Sequence, residues 1–276
     1  MTRRFTQVDV FSPEPLMGNP LAVVHDAAGL SDEQMSRFAR WTNLSETSFL
    51  LAPTDAAADY RVRIFTPDHE LPFAGHPTLG SCHAWLAAGG VSRGAEVVQE
   101  CEVGLVRIRR DGERLAFTAP PLRRTGAVEP AVLDRIARGL RVTPDAIRAS
   151  QWVVNGPEWV AVMLASRDEL LAVRPDYAAM RGLSVGVVAP WADGDAQFEV
   201  RALIPTDDGG YEDPVTGSLN AGLAQWLIAA GLAPARYVAS QGTALGRAGR
   251  VHVEQIGDDI WIGGRSVSCV DGSVLL

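Results

Sequence analysis

The sequence contains no lysine. All 25 basic residues among its 276 are arginine, and that absence removes whole reaction classes. A P-loop needs its lysine, and a pyridoxal phosphate enzyme needs one for the Schiff base. Cysteine is scarce too: Cys82, Cys101 and Cys269 are odd in number, widely spaced and form no CxxC. This usage predicts reduced thiols in a cytoplasmic protein. Basic runs are missing and the net charge is −8, so neither nucleic acid nor an anionic membrane is expected as a partner. No stretch approaches the roughly 20 apolar residues of a membrane span, and the opening MTRRFTQVDVF lacks the apolar h-region of a signal peptide.

Turning to what is present, hydrophobic residues make up 47% of the chain and charged residues 21%. A well-buried core fits this composition and disorder does not. The length suits one large domain or two of about 140 residues. Alternation predicts an opening strand over Phe5–Phe11 and a short apolar strand at Leu21–Val24. Ser31 with Gln34 has the capping-box pattern of a helix running to about Thr42. Further strands are expected near Ser45–Leu51, Tyr60–Phe65, Val97–Glu100, Leu105–Arg109 and Leu115–Thr118, with a helix from about Pro77 to Ala88. The turn Ala119-Pro120-Pro121 is the best linker candidate. Beyond it, helices are expected near Pro130–Arg138, Pro144–Ala149 and Arg167–Ala172. Strands are expected at Gln151–Val154, Trp159–Leu164, Leu183–Ala189 and Phe198–Leu203. A polar loop, DDGGYEDPVTGS, then leads into an apolar helix ending near Ala230. Strands at Tyr237–Gln241, Arg250–Gln255 and Ile260–Gly263 and an apolar tail close the chain. Mixed strands with few helices predict an α+β fold.

The chain writes one phrase twice. At an offset of 142 residues, the distance from Glu70 to Glu212, Pro72 falls on Pro214, Gly75 on Gly217, His76 on Ser218 and Gly80 on Gly222. Ala87-Ala88-Gly89 likewise falls on Ala229-Ala230-Gly231. Upstream, Arg63 and Pro67 have the spacing of Arg201 and Pro205, and GNPLAVV at 18–24 weakly echoes NGPEWVAV at 155–162. Two copies are too few for a solenoid and suit two homologous halves facing each other across a cleft. Each copy ends a loop with glycine and opens a helix that is apolar on nearly every side, so each helix is expected to be buried inside a curled sheet. Helix N-termini carry unpaired N–H groups and partial positive charge. Two of them at one cleft would bind a substrate carboxylate and stabilise negative charge on a reacting carbon.

Five ordered motifs, GNPLAVV, NLSETSFL, FTPDHELPFAGHPTLGS, EDPVTGSLNAGLAQWL and SQGTALGRAGRVHV, give the whole chain a resemblance to the PhzF-like isomerases of phenazine biosynthesis. These have the diaminopimelate epimerase-like fold. The resemblance implies two pseudo-symmetric halves, each a curved mixed or antiparallel sheet around a central apolar helix. Residues 1–119 would form one half, with the tail 265–276 packing back on it, and residues 120–264 the other. It implies a cofactor-independent proton-transfer isomerase acting on a small anionic substrate, and suggests a homodimer. The proposed base of the family, in S-E-T, falls on Glu46. The histidine of G-H-P-T falls on His76, and the aspartate and serine of D-P-V-T-G-S fall on Asp213 and Ser218. After Ser218 this chain has Leu-Asn where many relatives have Ala-His, which leaves nearby substrate contacts open. Racemases of the same fold place a cysteine at each helix start. Here Cys82 lies about 9 Å down the helix from His76 at 1.5 Å per residue, so two-thiol racemisation is not expected.

Each candidate has a plainer reading. Glu46 could be an ordinary solvent-facing strand start, His76 a capping histidine, Asp213 a turn residue before proline and Ser218 a helix cap. Asn19 sits in a Gly-Asn-Pro turn. Weighed with the motifs, Glu46, His76 and Asp213 are the catalytic candidates; Asn19, Gly75, Gly217, Ser218 and Gln241 are the substrate-binding candidates. Glu70 and Glu212 read as neighbours of the site or loop anchors, with structure the favoured role, and Trp85 and Trp226 as core. His69, His76 and His83 recur every seven residues. Two of them in one helix lie about 10.5 Å apart along its axis, too far for a single ion with bonds of about 2 Å, so no metal is expected; that no cofactor is needed is what the resemblance implies. The reaction expected is migration of a proton and double bond in a small unsaturated carboxylate or amino acid. A non-catalytic binding or interaction module and a non-cysteine epimerase are the alternatives.

Overall fold

The computed structural model describes residues 1–276. The chain is mixed α/β with five α-helices and divides into two compact units, Met1–Thr118 with Gly263–Leu276, and Ala119–Ile262.

In the first unit, β1 (Thr2–Val10) pairs antiparallel with β2 (Asn19–Val24). A helix, α1 (Asp32–Thr42), follows and begins at the expected capping box: Ser31 Oγ accepts from Gln34 N at 3.2 Å, and Gln34 Oε1 accepts from Ser31 N at 2.9 Å. Its apolar side, Met35, Phe38 and Ala39, packs with Val24, Phe49 and Phe65. Next, β3 (Thr47–Leu51) runs parallel to β2 and antiparallel to β4 (Tyr60–Phe65). The two-residue β5 (Glu70–Leu71) folds back on β4 and leads into α2 (Gly75–Ala87). β6 (Val97–Cys101) then lies parallel to β4, and β7 (Gly104–Asp111) and β8 (Arg114–Thr118) continue the sheet antiparallel.

In the second unit, β9 (Arg124–Gly126) and α3 (Pro130–Leu140) precede β10 (Ala149–Val154), which pairs antiparallel with both β9 and β11 (Trp159–Met163). After α4 (Arg167–Ala172), β12 (Ser184–Pro190) runs parallel to β11, and β13 (Phe198–Thr206) antiparallel to β12. β14 (Gly209–Asp213) folds back on β13 and leads into α5 (Gly217–Ala229). β15 (Arg236–Gln241) lies parallel to β13, with β16 (Gly249–Ile256) antiparallel beside it. A core of Ile136, Leu140, Trp152, Val160, Val162, Val185 and Val187 lies under α3 and α4.

Three expectations need correction. The helix expected at Pro144–Ala149 is a single 3-10 turn, Pro144–Ala146, because Ile147 is already extended and Ala149 joins β10. The loop DDGGYEDPVTGS is largely the β13–β14 hairpin, whose tight return uses Gly209 at φ +139°, a conformation costly to any residue with a Cβ. Finally, the short strand at Ile260–Gly263 and the apolar tail are one strand, β17 (Asp259–Leu275). From Ser266 to Leu275 it pairs antiparallel with β1, and it also pairs with β8. The first unit's strands thereby close into a barrel.

Both apolar helices are buried as their composition requires. Nine of the 13 residues of α2 are buried, and the helix touches β1, β2, β3, β6 and β8. Nine of the 13 residues of α5 are buried, and it touches β10, β11 and β16. The repeat glycines permit this approach. A Cβ on Gly80 would stand 2.6 Å from Leu21 Cδ2, and one on Gly222 2.6 Å from the Val153 carbonyl oxygen.

Candidate active site

In the first unit the candidate residues converge on the start of α2. Glu46 is the residue before β3. Its side chain is 17% exposed, and Oε2 lies 3.4 Å from His76 Nδ1. Asn19, fully buried at the head of β2, places Nδ2 3.5 Å from the same nitrogen. The turn before Asn19 is pinned by the buried Asp9, whose Oδ2 accepts from Met17 N at 2.8 Å and Gly18 N at 2.7 Å. Glycine is required at 18, since a Cβ there would stand 2.1 Å from the Val10 carbonyl oxygen. Asp9 was not anticipated; an acidic residue in an opening strand gives no local sign of such a bond.

His76 is 4% exposed. Burial pulls its imidazole from 6.5 down to about 3, so it is neutral near pH 7. A neutral imidazole can both give and accept a hydrogen bond. Ala74 precedes α2 in an extended conformation, and no side chain caps the helix. The N–H groups of Gly75 and His76 therefore have no intrahelical partner and present the positive end of the helix dipole. Cys82, deeper in α2, is wholly buried, and burial pushes its thiol up to about 12. It is no source of thiolate near neutral pH. His69 lies in the Thr66 turn, while His83 Nε2 is 3.1 Å from Ser268 Oγ. Trp85 stacks on the buried Tyr60 at 5.2 Å between centroids. A separate cavity of about 420 Å³ in this unit is lined by Arg4, His25, Asp59, Tyr60 and Trp85 among others, and by none of the candidate residues.

In the second unit Asp213 ends β14 and is 6% exposed. Its Oδ2 accepts from Thr216 Oγ1 at 2.5 Å. Ser218, second in α5, accepts from Trp159 Nε1 at 3.1 Å on Oγ and from Asn155 Nδ2 at 2.8 Å on its carbonyl oxygen. An indole N–H only donates, so the Ser218 hydroxyl proton remains directed elsewhere. Like α2, α5 has no side-chain cap, and Gly217 and Ser218 sit in its first turn. Asn155 and Trp159 were missed as site neighbours; the weak echo of GNPLAVV in NGPEWVAV was the available signal. Gln241 was expected at the substrate. In the structure both ends of its amide are engaged internally. Oε1 accepts from Thr216 N at 3.0 Å and Asn220 Nδ2 at 2.8 Å; Nε2 donates to Asp213 O at 3.2 Å and Thr216 Oγ1 at 2.9 Å.

The repeated Arg–Glu pairs brace the two loops. Arg63 Nε and Nη2 donate to Glu70 at 2.7 and 2.6 Å across β4 and β5. Arg201 Nε and Nη2 donate to Glu212 at 3.1 and 2.7 Å across β13 and β14, both side chains 5% exposed. These bidentate pairs are the geometrically specific kind. Trp226 is buried in α5.

Comparison with known proteins identifies the family. The family model described as phenazine biosynthesis-like protein matches residues 8–272. A trans-2,3-dihydro-3-hydroxyanthranilate isomerase of Pseudomonas aeruginosa is 35% identical, covering 98% of this chain and 95% of the relative. The antisense-enhancing sequence 1 protein of Schizosaccharomyces pombe is 33% identical over 97% of both chains. Among solved structures, the Bacillus anthracis phenazine biosynthesis protein of the PhzF family superposes with a TM-score of 0.85 over the whole of both chains at 23% identity.

Proposed function

The chain belongs to the phenazine biosynthesis-like family and is an isomerase, and from that premise we propose that it moves a proton and a double bond within a small unsaturated carboxylate or amino acid, without a cofactor and with Glu46 as acid and base. Glu46 takes a proton from an sp3 carbon flanked by an alkene and activated by a carboxylate. The electron pair spreads into the conjugated system, and the proton returns at another carbon. The observation that carries this reading is the 3.4 Å approach of Glu46 Oε2 to a buried, neutral His76 at an uncapped helix start. A partly buried carboxylate beside a fixed imidazole has the geometry for proton handling, and the α2 N–H groups oppose the negative charge that develops.

Asp213 and Ser218 are assigned to the same reaction, Asp213 in proton handling and orientation, Ser218 with Gly217 in holding an anionic group. The fold belonging to this reading is diaminopimelate epimerase-like, with two related halves. It is supported by the same succession of antiparallel and parallel pairings in β1–β7 and β10–β16. The substrate class includes dihydro-hydroxyanthranilate-like rings, the compound named for the 35% identical relative.

The test follows trans-2,3-dihydro-3-hydroxyanthranilate and other unsaturated carboxylates by 1H NMR in D2O. The wild type is expected to shift the double bond, and Glu46→Gln to lower kcat by about 10²–10⁴ with KM nearly unchanged. Full activity in Glu46→Gln overturns the assignment. Binding without turnover across the panel would make the chain a binding module. Stereoinversion without double-bond migration would make it an epimerase.

A further inference from the structure

Gln241 ends β15 and is wholly buried; Thr216 and Asn220, at the start of α5, are 7% and 1% exposed. Their bonds form a closed network whose directions follow from chemistry. A backbone N–H can only donate, so the Gln241 atom facing Thr216 N is the oxygen. A backbone carbonyl can only accept, so the Asn220 atom 2.9 Å from Thr216 O is its nitrogen, and the Gln241 atom facing Asp213 O is its nitrogen. The second Gln241 N–H then meets Thr216 Oγ1, which must accept it. The hydroxyl keeps one proton of its own, and that proton points at Asp213 Oδ2, 2.5 Å away. Such a separation is that of a short hydroxyl–carboxyl hydrogen bond.

Thr216 occupies the N-cap position of α5, where a threonine hydroxyl ordinarily accepts from a helix N–H. Here no side chain caps the helix, because the hydroxyl is turned toward Asp213. We propose that Thr216 and Gln241 are positioning residues for Asp213. The Gln241 amide sets the direction of the Thr216 hydroxyl, and the hydroxyl holds the Asp213 carboxylate in a fixed orientation. Asn220 completes the device by locking Gln241 from its oxygen side. This inference rests on the reading that Asp213 acts in the reaction.

The informative variants are Thr216→Val, Thr216→Ser and Gln241→Glu, with Asp213→Asn as reference. Gln241→Glu keeps the shape and the acceptor but replaces the donating nitrogen with oxygen, which draws the Thr216 proton away from Asp213. With trans-2,3-dihydro-3-hydroxyanthranilate as probe, Thr216→Val and Gln241→Glu are expected to lower kcat by about tenfold or more, the scale of a misplaced catalytic group. KM should stay within about threefold and Thr216→Ser should restore most of kcat, with kcat taken per folded enzyme and the Tm of each variant measured, so that lost folding is counted separately. If both variants keep wild-type kcat while Asp213→Asn loses it, the positioning role is wrong and the Asp213 assignment stands. If Asp213→Asn is fully active, the assignment itself fails. A second readout needs no turnover: NMR of the wild type should show a slowly exchanging Thr216 hydroxyl proton with an Overhauser contact to Asp213 Hβ, lost in Gln241→Glu. Absence of that proton in the wild type, or its persistence in Gln241→Glu, overturns the network.

Discussion

At the scale of single residues, His76 has the sharpest physical consequence. Its folded-state value is about 3 against 6.5 for a free imidazole, because burial penalises the cation. Below pH 6.5 the unfolded chain binds a proton that the folded chain refuses until near pH 3. The stabilisation is therefore complete above 6.5 and declines as pH falls toward 3, at a limiting slope of roughly 1.4 kcal/mol per pH unit for one group. His25 and His83 are also pulled down by burial, so the wild-type acid limb is shared among three side chains. His76→Gln should have a visibly shallower loss of Tm between pH 6.5 and 4 than the wild type. Parallel curves would mean that His76 is not held neutral. For function, a histidine that stays uncharged down to pH 4 leaves charge chemistry to carboxylates, which agrees with Glu46 rather than His76 as the acid–base group.

At the scale of elements, the two buried helices depend on glycine where they meet the strands, and the two positions are not equivalent. A Cβ on Gly80 would press on Leu21 Cδ2 and Val10 Cγ2, which are side-chain ends, whereas one on Gly222 would press on the Val153 carbonyl oxygen, which is backbone. Side-chain ends can shift and a paired strand cannot. Alanine also favours the helix by about 1 kcal/mol over glycine, which offsets part of the overpacking cost of about 1–3 kcal/mol. Gly222→Ala should therefore destabilise more than Gly80→Ala by chemical denaturation, and the reverse order would refute the packing account. The same elements show what a sequence discloses. The repeat located both helices within two residues of their starts, and the Ser31 capping box, being local chemistry, was readable outright. Glu70 and Glu212 were legible as anchors, while their arginine partners Arg63 and Arg201 showed only as a matched spacing. The Asp9 clasp, the Asn155 contact and the Gln241 network were not, because each joins residues distant in sequence through side-chain directions that only tertiary packing sets. The β13–β14 hairpin was hidden by its polar, glycine-rich text, and β17 by Ser and Asp residues that break apolar alternation along an exposed strand.

At the scale of the whole chain, the two units are built differently from sequence. The second is one continuous segment, Ala119–Ile262, whereas the first needs both ends of the chain. Nine register pairs tie Thr2–Val10 to the 266–275 stretch of β17, and β8 also pairs with that strand. The main chain of Met1 also meets that of Leu276. Deleting residues 266–276 would leave β1 with a bare edge and open the barrel of the first unit. Each backbone bond lost removes about 0.5–1.5 kcal/mol, and several go at once, against a stability of about 5–15 kcal/mol for an ordinary domain. The second unit loses no residue, strand partner or core side chain of its own. Limited proteolysis of the deletion variant, read by mass spectrometry, should cut early within residues 1–118 and spare 119–262. Protection of the first unit equal to that in the full chain would show that β17 is an ornament on a sheet already complete. Selective cleavage would show that the residues carrying Glu46, His76 and Asn19 are held in place by residues 266–276, at least 190 positions away in the sequence.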